Sequence, residues 1–419
     1  MSSERESLSR AIGTFGLAAG IVNITIGGGI FRLPAVVAGS LGAAAPIGYV
    51  VCALAMGLIV WCMAWAGRRV PTTGGLYAYV GVALGPYAGF LSGVLLWMTG
   101  TFAFAAVATI FATSLGQLVP ALAGTLIESV VLIVTFAFWT LVNLGGVALG
   151  VRLNSIATVA KLAPLLLLAG AGVLFINPEH LVITAMPGPA SIARVSMVLI
   201  FAFAGIECAL LPSGEVRDSE RTIPRAIAMA MITITALYIA LQVVTQGILG
   251  DQLPGSTVAP LAEAAGQSLG GWAKSLLLAG AAISMFGYIG GMSLSVPRIT
   301  YALARDGFLP AALARIDPVR RVPTTAIVCQ ALLAVTLALS GTFEKLAVLA
   351  NASALILYLG CSVAAWRLGQ PPAVPALACG VILWLLSGLT ADEWAATALC
   401  IAVVSALYGV RTRTTRLAS

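Results

Sequence analysis

The chain has 419 residues, of which 60% are hydrophobic and only 9% charged, and its formal net charge is +7. Soluble domains carry about 25% charged residues, so water cannot be the main solvent of this chain. The apolar stretches leave too little sequence for a soluble domain of useful size. This excludes most enzyme classes and assigns any function to a bundle of helices.

Weakly charged stretches recur along the chain, each long enough for a membrane-spanning helix, which needs about 20 mostly apolar residues. We predict twelve spans and an all-α integral membrane protein with one transmembrane domain over residues 1–419. The approximate limits of the spans are 12–38, 43–66, 86–117, 124–147, 153–176, 192–212, 226–249, 272–298, 324–341, 346–366, 373–389 and 393–410.

The distribution of basic residues predicts the orientation of these spans. With a cytoplasmic N-terminus, all but four of the 22 Lys and Arg residues fall in the tails or on the cytoplasmic side, counting Lys161, which lies inside a span. The positive-inside rule predicts this asymmetry, so we expect both termini in the cytoplasm and the protein in the cell membrane. The basic residues are dispersed in loops, so no nucleic-acid partner is indicated.

The first span is interrupted by three consecutive glycines and a proline, Pro34. Glycine and proline lower helix stability, and at membrane depth the freed backbone groups need partners from protein, water or a ligand. The amides there, at the positive end of the following half-helix, would attract a carboxylate. Close packing by small residues is the alternative explanation. The candidate substrate-binding residues in this span are Thr25, Ile26, Gly27, Gly28 and Gly29.

Lys161 lies in the fifth span, seven residues past Asn154 and so about 10 Å from its predicted cytoplasmic end. Burial favours the neutral form of an amine, so this residue is a candidate to lose and regain a proton during a transport cycle. The alternative is a side chain that snorkels to the inner membrane interface.

The sixth span repeats the interruption, because the step Gly205-Ile206-Glu207 is followed by Pro212. Carbonyls freed around Phe201, Ala202 and Ala204 form the negative end of a half-helix, which suits an ammonium group. The two interrupted spans together would bind a zwitterion.

Glu207 is the one acid within a strongly apolar span. An ionisable group at membrane depth indicates function, here as a partner for a substrate amine or as a proton relay. A structural hydrogen bond that holds the unwound segment together is the alternative reading.

Paired interruptions in two halves of a chain are typical of transporters whose site lies between inverted repeats. The repeats would cover about 12–176 and 192–366, and the last two spans, over 373–410, would be appended. An odd number of spans in each half gives the halves opposite orientations, as inverted repeats require.

The chain offers little material for a metal or cofactor site. Its seven cysteines are scattered singly, and its one histidine, His180, lies in a predicted outer loop. We expect no metal and no cofactor. Without a Gly-rich phosphate loop, transport would be coupled to protons or to a counter-substrate rather than to ATP.

Four stretches, in order, resemble motifs of the amino acid–polyamine–organocation superfamily of transporters, and the resemblance covers nearly the whole chain. They are the glycine motif over residues 27–31, the loop Pro71-Thr72-Thr73-Gly74-Gly75 with the following 76–79, the sixth-span segment 201–207 continued by 214–215 and 222–226, and the segment 298–310.

The resemblance implies a five-plus-five inverted-repeat fold with the substrate between helices 1, 3, 6, 8 and 10. It implies that Phe201 is an aromatic gate, that Ala204 is a pocket wall and that Glu207 belongs to the unwound sixth helix. Lys161 resembles the fifth-helix lysine of proton-coupled and exchanging branches, with Ser284 as its partner. The triple glycine replaces a small hydroxyl residue of many members, and Arg32 is also unusual at its position.

The sequence thus favours a permease that moves a small or medium neutral amino acid by alternating access. An exchanger of amines, polyamines or cationic amino acids is the alternative, but it would need several pocket acids and only Glu207 is available. A membrane-embedded enzyme would need His, Asp or Cys residues clustered at depth. A channel would need a polar stripe or a filter segment.

Overall fold

The computed structural model of the chain describes residues 13–70, 76–145, 161–206, 218–318, 320 and 322–418. All regular secondary structure in these ranges is helical, as predicted. The helices up to residue 175 are α1 (Thr14–Thr25), α2 (Leu33–Leu41), α3 (Ala45–Arg69), α4 (Leu76–Leu84), α5 (Pro86–Leu118), α6 (Thr125–Gly145) and α7 (Lys161–Phe175). The others are α8 (Pro189–Phe203), α9 (Ser219–Leu249), α10 (Pro260–Leu269), α11 (Gly271–Arg305), α12 (Thr324–Ser340), α13 (Phe343–Arg367), α14 (Ala373–Leu386) and α15 (Ala391–Ala418).

Each predicted span overlaps a described helix, although several of these helices are short and parts of the fifth and sixth spans, residues 153–160 and 207–212, lie outside the described residues. Among the described residues, six helical segments are long and apolar enough to cross a membrane, and a seventh is added if the bent pair α14 and α15 forms one span. Shorter apolar helices include α7, α8 and α12. This is the architecture of a multi-pass membrane protein. The count of twelve spans and the inverted repeat stay predictions.

A tight turn separates the first and second predicted spans. The helices α2 and α3 and the 3-10 turn Gly42–Ala44 form a 37-residue apolar segment, Leu33–Arg69. One straight helix of this length would measure about 55 Å, against roughly 30 Å of bilayer hydrocarbon. Gly42 has φ 54° and ψ −134°, a conformation that glycine alone adopts readily, and it breaks the segment there.

Both helix interruptions that the sequence predicts are present. α1 ends at Thr25, and a 3-10 turn over Gly29–Phe31 precedes α2. α8 ends at Phe203, after which Ala204 is extended and Gly205 has a φ of 104°. Residues 207–217 lie outside the described residues, so the position of Glu207 stays a prediction.

α5 and α13 occupy the centre of the bundle, and α6 lies at its periphery. Within their most apolar windows, 67% of α5 and 72% of α13 is buried, against 22% of α6. α5 packs mainly against α11 and α13. These helices form the surroundings of the interrupted first span.

A polar cluster joins α5, α11 and α12 inside the apolar bundle. Gln330 of α12 is only 2% exposed. Its Oε1 accepts from the indole N–H of Trp97 at 2.9 Å and from the Thr300 hydroxyl at 3.2 Å, while its Nε2 donates to Thr101 Oγ1 at 3.0 Å. We call these four residues the Gln330 cluster. Both ends of the Gln330 amide are bonded, which fixes the three helices to one another.

Candidate substrate site

The interruption of the first span leaves backbone donors without acceptors. A continuous helix would bond the Gly27 N–H to the Asn23 carbonyl, but here Gly27 donates to the Thr25 carbonyl at 2.8 Å. The amides of residues 28–30 donate to no acceptor in the described part of the chain. Adjacent amides at the start of a half-helix form a site for an anion such as a carboxylate.

Side chains from three other helices pack against this glycine segment. A Cβ atom on Gly28 would lie 3.1 Å from Met285 Cγ of α11 and 3.2 Å from Val107 Cγ1 of α5. A Cβ atom on Gly29 would lie 2.9 Å from Phe201 Cδ1 of α8. The glycines therefore permit close packing, the alternative raised by the sequence, and the same interruption also leaves amides free. Both features are present, and the binding of a carboxylate by these amides stays a prediction.

Tyr238 of α9 links the ends of the two interrupted helices. Its hydroxyl lies 2.9 Å from the Ala202 carbonyl and 3.3 Å from the Thr25 carbonyl, so one proton serves both. The side chain is fully buried, with Phe203 and Tyr49 edge-on to its ring. Sequence analysis missed this residue. The available signal was a tyrosine in the middle of an apolar span, because a buried hydroxyl needs a partner.

One of the carbonyls expected to be free at the end of α8 has a partner. The Ala202 carbonyl accepts from Tyr238, which uses one of its two lone pairs, and its role in binding a substrate stays a prediction. At the end of α1, the Thr25 side chain is 2% exposed, and its hydroxyl has no partner among the described residues. Thr25 therefore adds a buried polar group that is available to a ligand.

Lys161 bonds directly to the interrupted first span. The residue is 8% exposed, and its Nζ donates to the Asn23 carbonyl. That carbonyl has lost its helix partner because Gly27 bonds elsewhere, so the lysine replaces the missing hydrogen bond. The ammonium is thus directed towards α1 rather than snorkelling to the interface.

Ser284, the residue expected to partner Lys161, lies buried on α11. The structure records no hydrogen bond between these two described side chains; Lys161 bonds to Asn23. A pairing of Lys161 with Ser284 stays a prediction.

At the start of α13, an aromatic ring and an ion pair adjoin Phe201. The Phe343 ring is edge-on to Phe201, with centroids 5.4 Å apart. The guanidinium carbon of Arg32 lies 5.6 Å from the Phe343 centroid, and its Nη2 lies 2.9 Å from Glu344 Oε1. Arg32, the unusual residue after the glycine motif, therefore joins the interrupted first span to α13.

Comparison with known proteins identifies the family of this chain. The model of the amino acid permease family matches residues 12–415. The chain is 25% identical over 442 residues to the methylthioribose transporter of Bacillus subtilis (strain 168), which covers 98% of this chain and 95% of that protein. It is 27% identical over 362 residues to the serine/threonine exchanger SteT of the same strain, over 83% of this chain and 80% of that protein.

A third relative, an uncharacterized transporter of Mycobacterium tuberculosis (strain ATCC 25618 / H37Rv), is 29% identical over 428 residues, or 99% of this chain and 94% of that protein. The family match extends over nearly the whole chain, and these relatives align along most of their own length. The chain therefore belongs to the amino acid permease family of transporters, within the amino acid–polyamine–organocation superfamily.

Proposed function

We propose that this protein is a secondary active transporter that moves a neutral amino acid across the cell membrane by alternating access. The observation that supports this most is the interrupted first span, where the amides of residues 28–30 have no acceptor among the described residues. Those amides suit the carboxylate of an amino acid, and the buried Thr25 hydroxyl lies next to them. The carbonyls around Phe201 and Ala204, at the end of α8, would suit its ammonium group.

The preference for a neutral substrate rests on the side chains around the glycine segment. Val107, Met285 and Phe201 are apolar and buried, so they would accept an uncharged side chain. Ala204 is our proposed wall of the same pocket. The similarity to a serine/threonine exchanger supports this substrate class, and the similarity to a methylthioribose transporter adds a second uncharged compound to the candidates.

An exchanger of amines, polyamines or cationic amino acids is less well supported. Such a substrate needs acidic groups free to receive its charges. Glu344, the described acid beside this segment, is already paired with Arg32. Glu207, for which we propose a role in amine binding or proton relay, would be the remaining acid.

We propose that Lys161 couples transport to protons or to a counter-substrate. Its Nζ bonds to Asn23 of α1, so loss of the bond would loosen the interrupted span. We propose twelve spans in two inverted repeats, with both termini cytoplasmic. In this arrangement α1, α2 and α8 would move relative to α5, α11 and α12, the helices joined by the Gln330 cluster. α14 and α15 would be the appended pair.

Uptake into proteoliposomes tests this function. Labelled serine, threonine, leucine and methylthioribose are offered to empty vesicles, to vesicles preloaded with the same unlabelled compound, and to empty vesicles under an inward proton gradient. Uptake driven by the gradient would establish proton symport, and uptake only after preloading would establish exchange. Uptake of labelled putrescine but of no amino acid would contradict the proposal.

A further inference from the structure

The first turns of α8 are attached to the bend between α14 and α15. These two helices meet at 118°, across residues 387–390. Arg194 of α8 donates from Nη1 to Glu393 Oε2 at 2.6 Å and from Nη2 to Glu393 Oε1 at 2.9 Å, and its Nη1 also donates to the Gly388 carbonyl at 3.1 Å. The bidentate pairing of guanidinium and carboxylate fixes the orientation of both side chains as well as their separation.

The backbone of the bend also lies directly on α8. A Cβ atom on Gly388 would be 3.1 Å from the Arg194 Cα and 3.2 Å from the Ala193 carbonyl carbon. For any residue with a side chain, the bend or α8 would have to shift by a few tenths of an ångström, because the nearest atoms belong to the α8 backbone. Glycine is therefore favoured here by close approach rather than by its own backbone angles.

Glu393 is held in position before it meets the arginine. The Thr390 N–H donates to Glu393 Oε2 at 2.8 Å, and the Glu393 N–H donates to Thr390 Oγ1 at 3.4 Å. This reciprocal pair caps the start of α15 and restricts the carboxylate to one orientation. We call Arg194, Gly388, Thr390 and Glu393 the α8 clamp.

α8 is held a second time, one turn further along. Asn351 of α13 is 1% exposed, and its Nδ2 donates to the Met197 carbonyl at 2.8 Å. Phe201 follows Arg194 by seven residues, or about 10 Å of helix. The first part of α8 is thus fixed at two levels, while its other end terminates at Phe203 beside Gly205, whose φ is 104°.

We propose that the α8 clamp is a positioning device for the substrate site, with Arg194 and Glu393 as positioning residues. By fixing the first turns of α8, it sets where the Phe201 ring lies against Gly29, and it confines movement of α8 to the end at Gly205. The appended helices then take part in substrate binding without touching the substrate. This inference rests on the proposed transport function.

A double-mutant cycle of Arg194→Gln, Glu393→Gln and the double variant tests the clamp. Asp392→Asn is the matched control, because it removes the same charge from an exposed residue in the same turn of α15. Each single variant should raise the KM for uptake by roughly twofold to fivefold, because the Arg194 side chain is 40% exposed and water weakens the ion pair, with little change in the maximal rate per folded molecule. The double variant should change the KM by less than the product of the two single effects, since each substitution removes the Arg194–Glu393 ion pair that the two residues share.

A second readout does not depend on transport. Spin labels at the exposed positions Ser191 of α8 and Gln117 of α5 report the distance between these helices in purified, cysteine-free protein. Both single variants should broaden that distance distribution, and Asp392→Asn should leave it unchanged. An unchanged distribution, additive effects of the two substitutions, or a broadened distribution with an unaltered KM would each overturn the proposal. Wild-type protein that transports none of the compounds would instead refute the proposed function.

Discussion

The Gln330 cluster and the interrupted first span are two polar regions inside the same apolar bundle, and they satisfy their polar groups in opposite ways. Both ends of the Gln330 amide are bonded to side chains of neighbouring helices. The amides of residues 28–30 have no acceptor among the described residues. Unsatisfied groups are costly in a low-dielectric interior, so they persist where a ligand or a moving part completes them.

We expect the Gln330 cluster to contribute mainly to stability and the interrupted first span mainly to transport. A change in the Gln330 cluster should lower the stability of the protein and leave substrate affinity nearly unaltered. A change at the first span should lower transport at nearly constant stability. The following four expectations test this division, from the largest effect to the smallest.

Gly29→Ala should reduce the initial rate of uptake by roughly tenfold or more, because overpacking costs about 1–3 kcal/mol. The new Cβ would lie 2.9 Å from Phe201 Cδ1, so either the ring or the glycine segment must move. Gly57→Ala is the control, since a Cβ atom there meets nothing within 4 Å. Rates are normalised to folded protein in the vesicles. Equal rates for both variants would show that the tight packing at Gly29 does not affect uptake.

Lys161→Ala should reduce uptake by roughly fivefold to tenfold, because it removes a charge-assisted hydrogen bond to Asn23, worth about 1.5–3 kcal/mol where fully formed. Arg69→Ala, at the end of α3, is the control for loss of one positive charge, and its effect should be small. The measurement is uptake with and without a proton gradient. Equal and mild effects of both substitutions would refute a functional role for the lysine.

Gln330→Ala should lower the free energy of unfolding by about 1–3 kcal/mol, since it leaves the Trp97 indole N–H and the Thr101 and Thr300 hydroxyls without this partner. Gln330→Met keeps most of the volume and should cost less. Thermal inactivation in detergent measures the change, with the KM for uptake measured in parallel. A KM that rises severalfold while thermal stability stays constant would show that the Gln330 cluster contributes to substrate binding rather than to stability.

Glu344→Gln should change uptake by only about twofold, because ion pairs exposed to water contribute about 0–1 kcal/mol. The Glu344 side chain is 41% exposed, whereas its partner Arg32 is 16% exposed. Raising the salt concentration should weaken the ion-pair contribution in wild-type protein and leave the variant insensitive. The measurement is the KM for uptake at increasing salt concentrations, for the wild-type protein and for the variant. Identical salt dependence would show that the pair contributes nothing to transport.

The helical interruptions were predictable because their cause is local. Three glycines followed by Pro34 weaken a helix wherever they occur, and the Gly205 step does the same in the sixth span. Lys161 is buried, as expected for a residue inside an apolar span, while its depth stays a prediction because residues 146–160 lie outside the described residues. Its partner was not predictable, because the Asn23 carbonyl becomes available only when the Gly27 amide turns to Thr25.

The lining of the glycine segment was beyond sequence analysis for a different reason. Val107, Met285 and Phe343 lie on α5, α11 and α13, whose apolar residues are spread around the helix rather than gathered on one face. Helical periodicity then carries no information about which face turns inward. Tyr238 was missed although its buried hydroxyl was a usable signal. Glu207 and the loop motif over 71–75 lie outside the described residues, so their roles stay predictions.

The free amides of the first span have a consequence for the evolution of this protein's sequence. Every residue except proline has a backbone N–H, so a substitution at residues 28–30 would disrupt the proposed carboxylate contact mainly by changing the backbone conformation. Side chains such as Val107 and Met285 can be exchanged one at a time without touching that contact. In the proposed site, binding of the carboxylate that amino acids share would thus be retained while mutation changes the pocket for the substrate side chain.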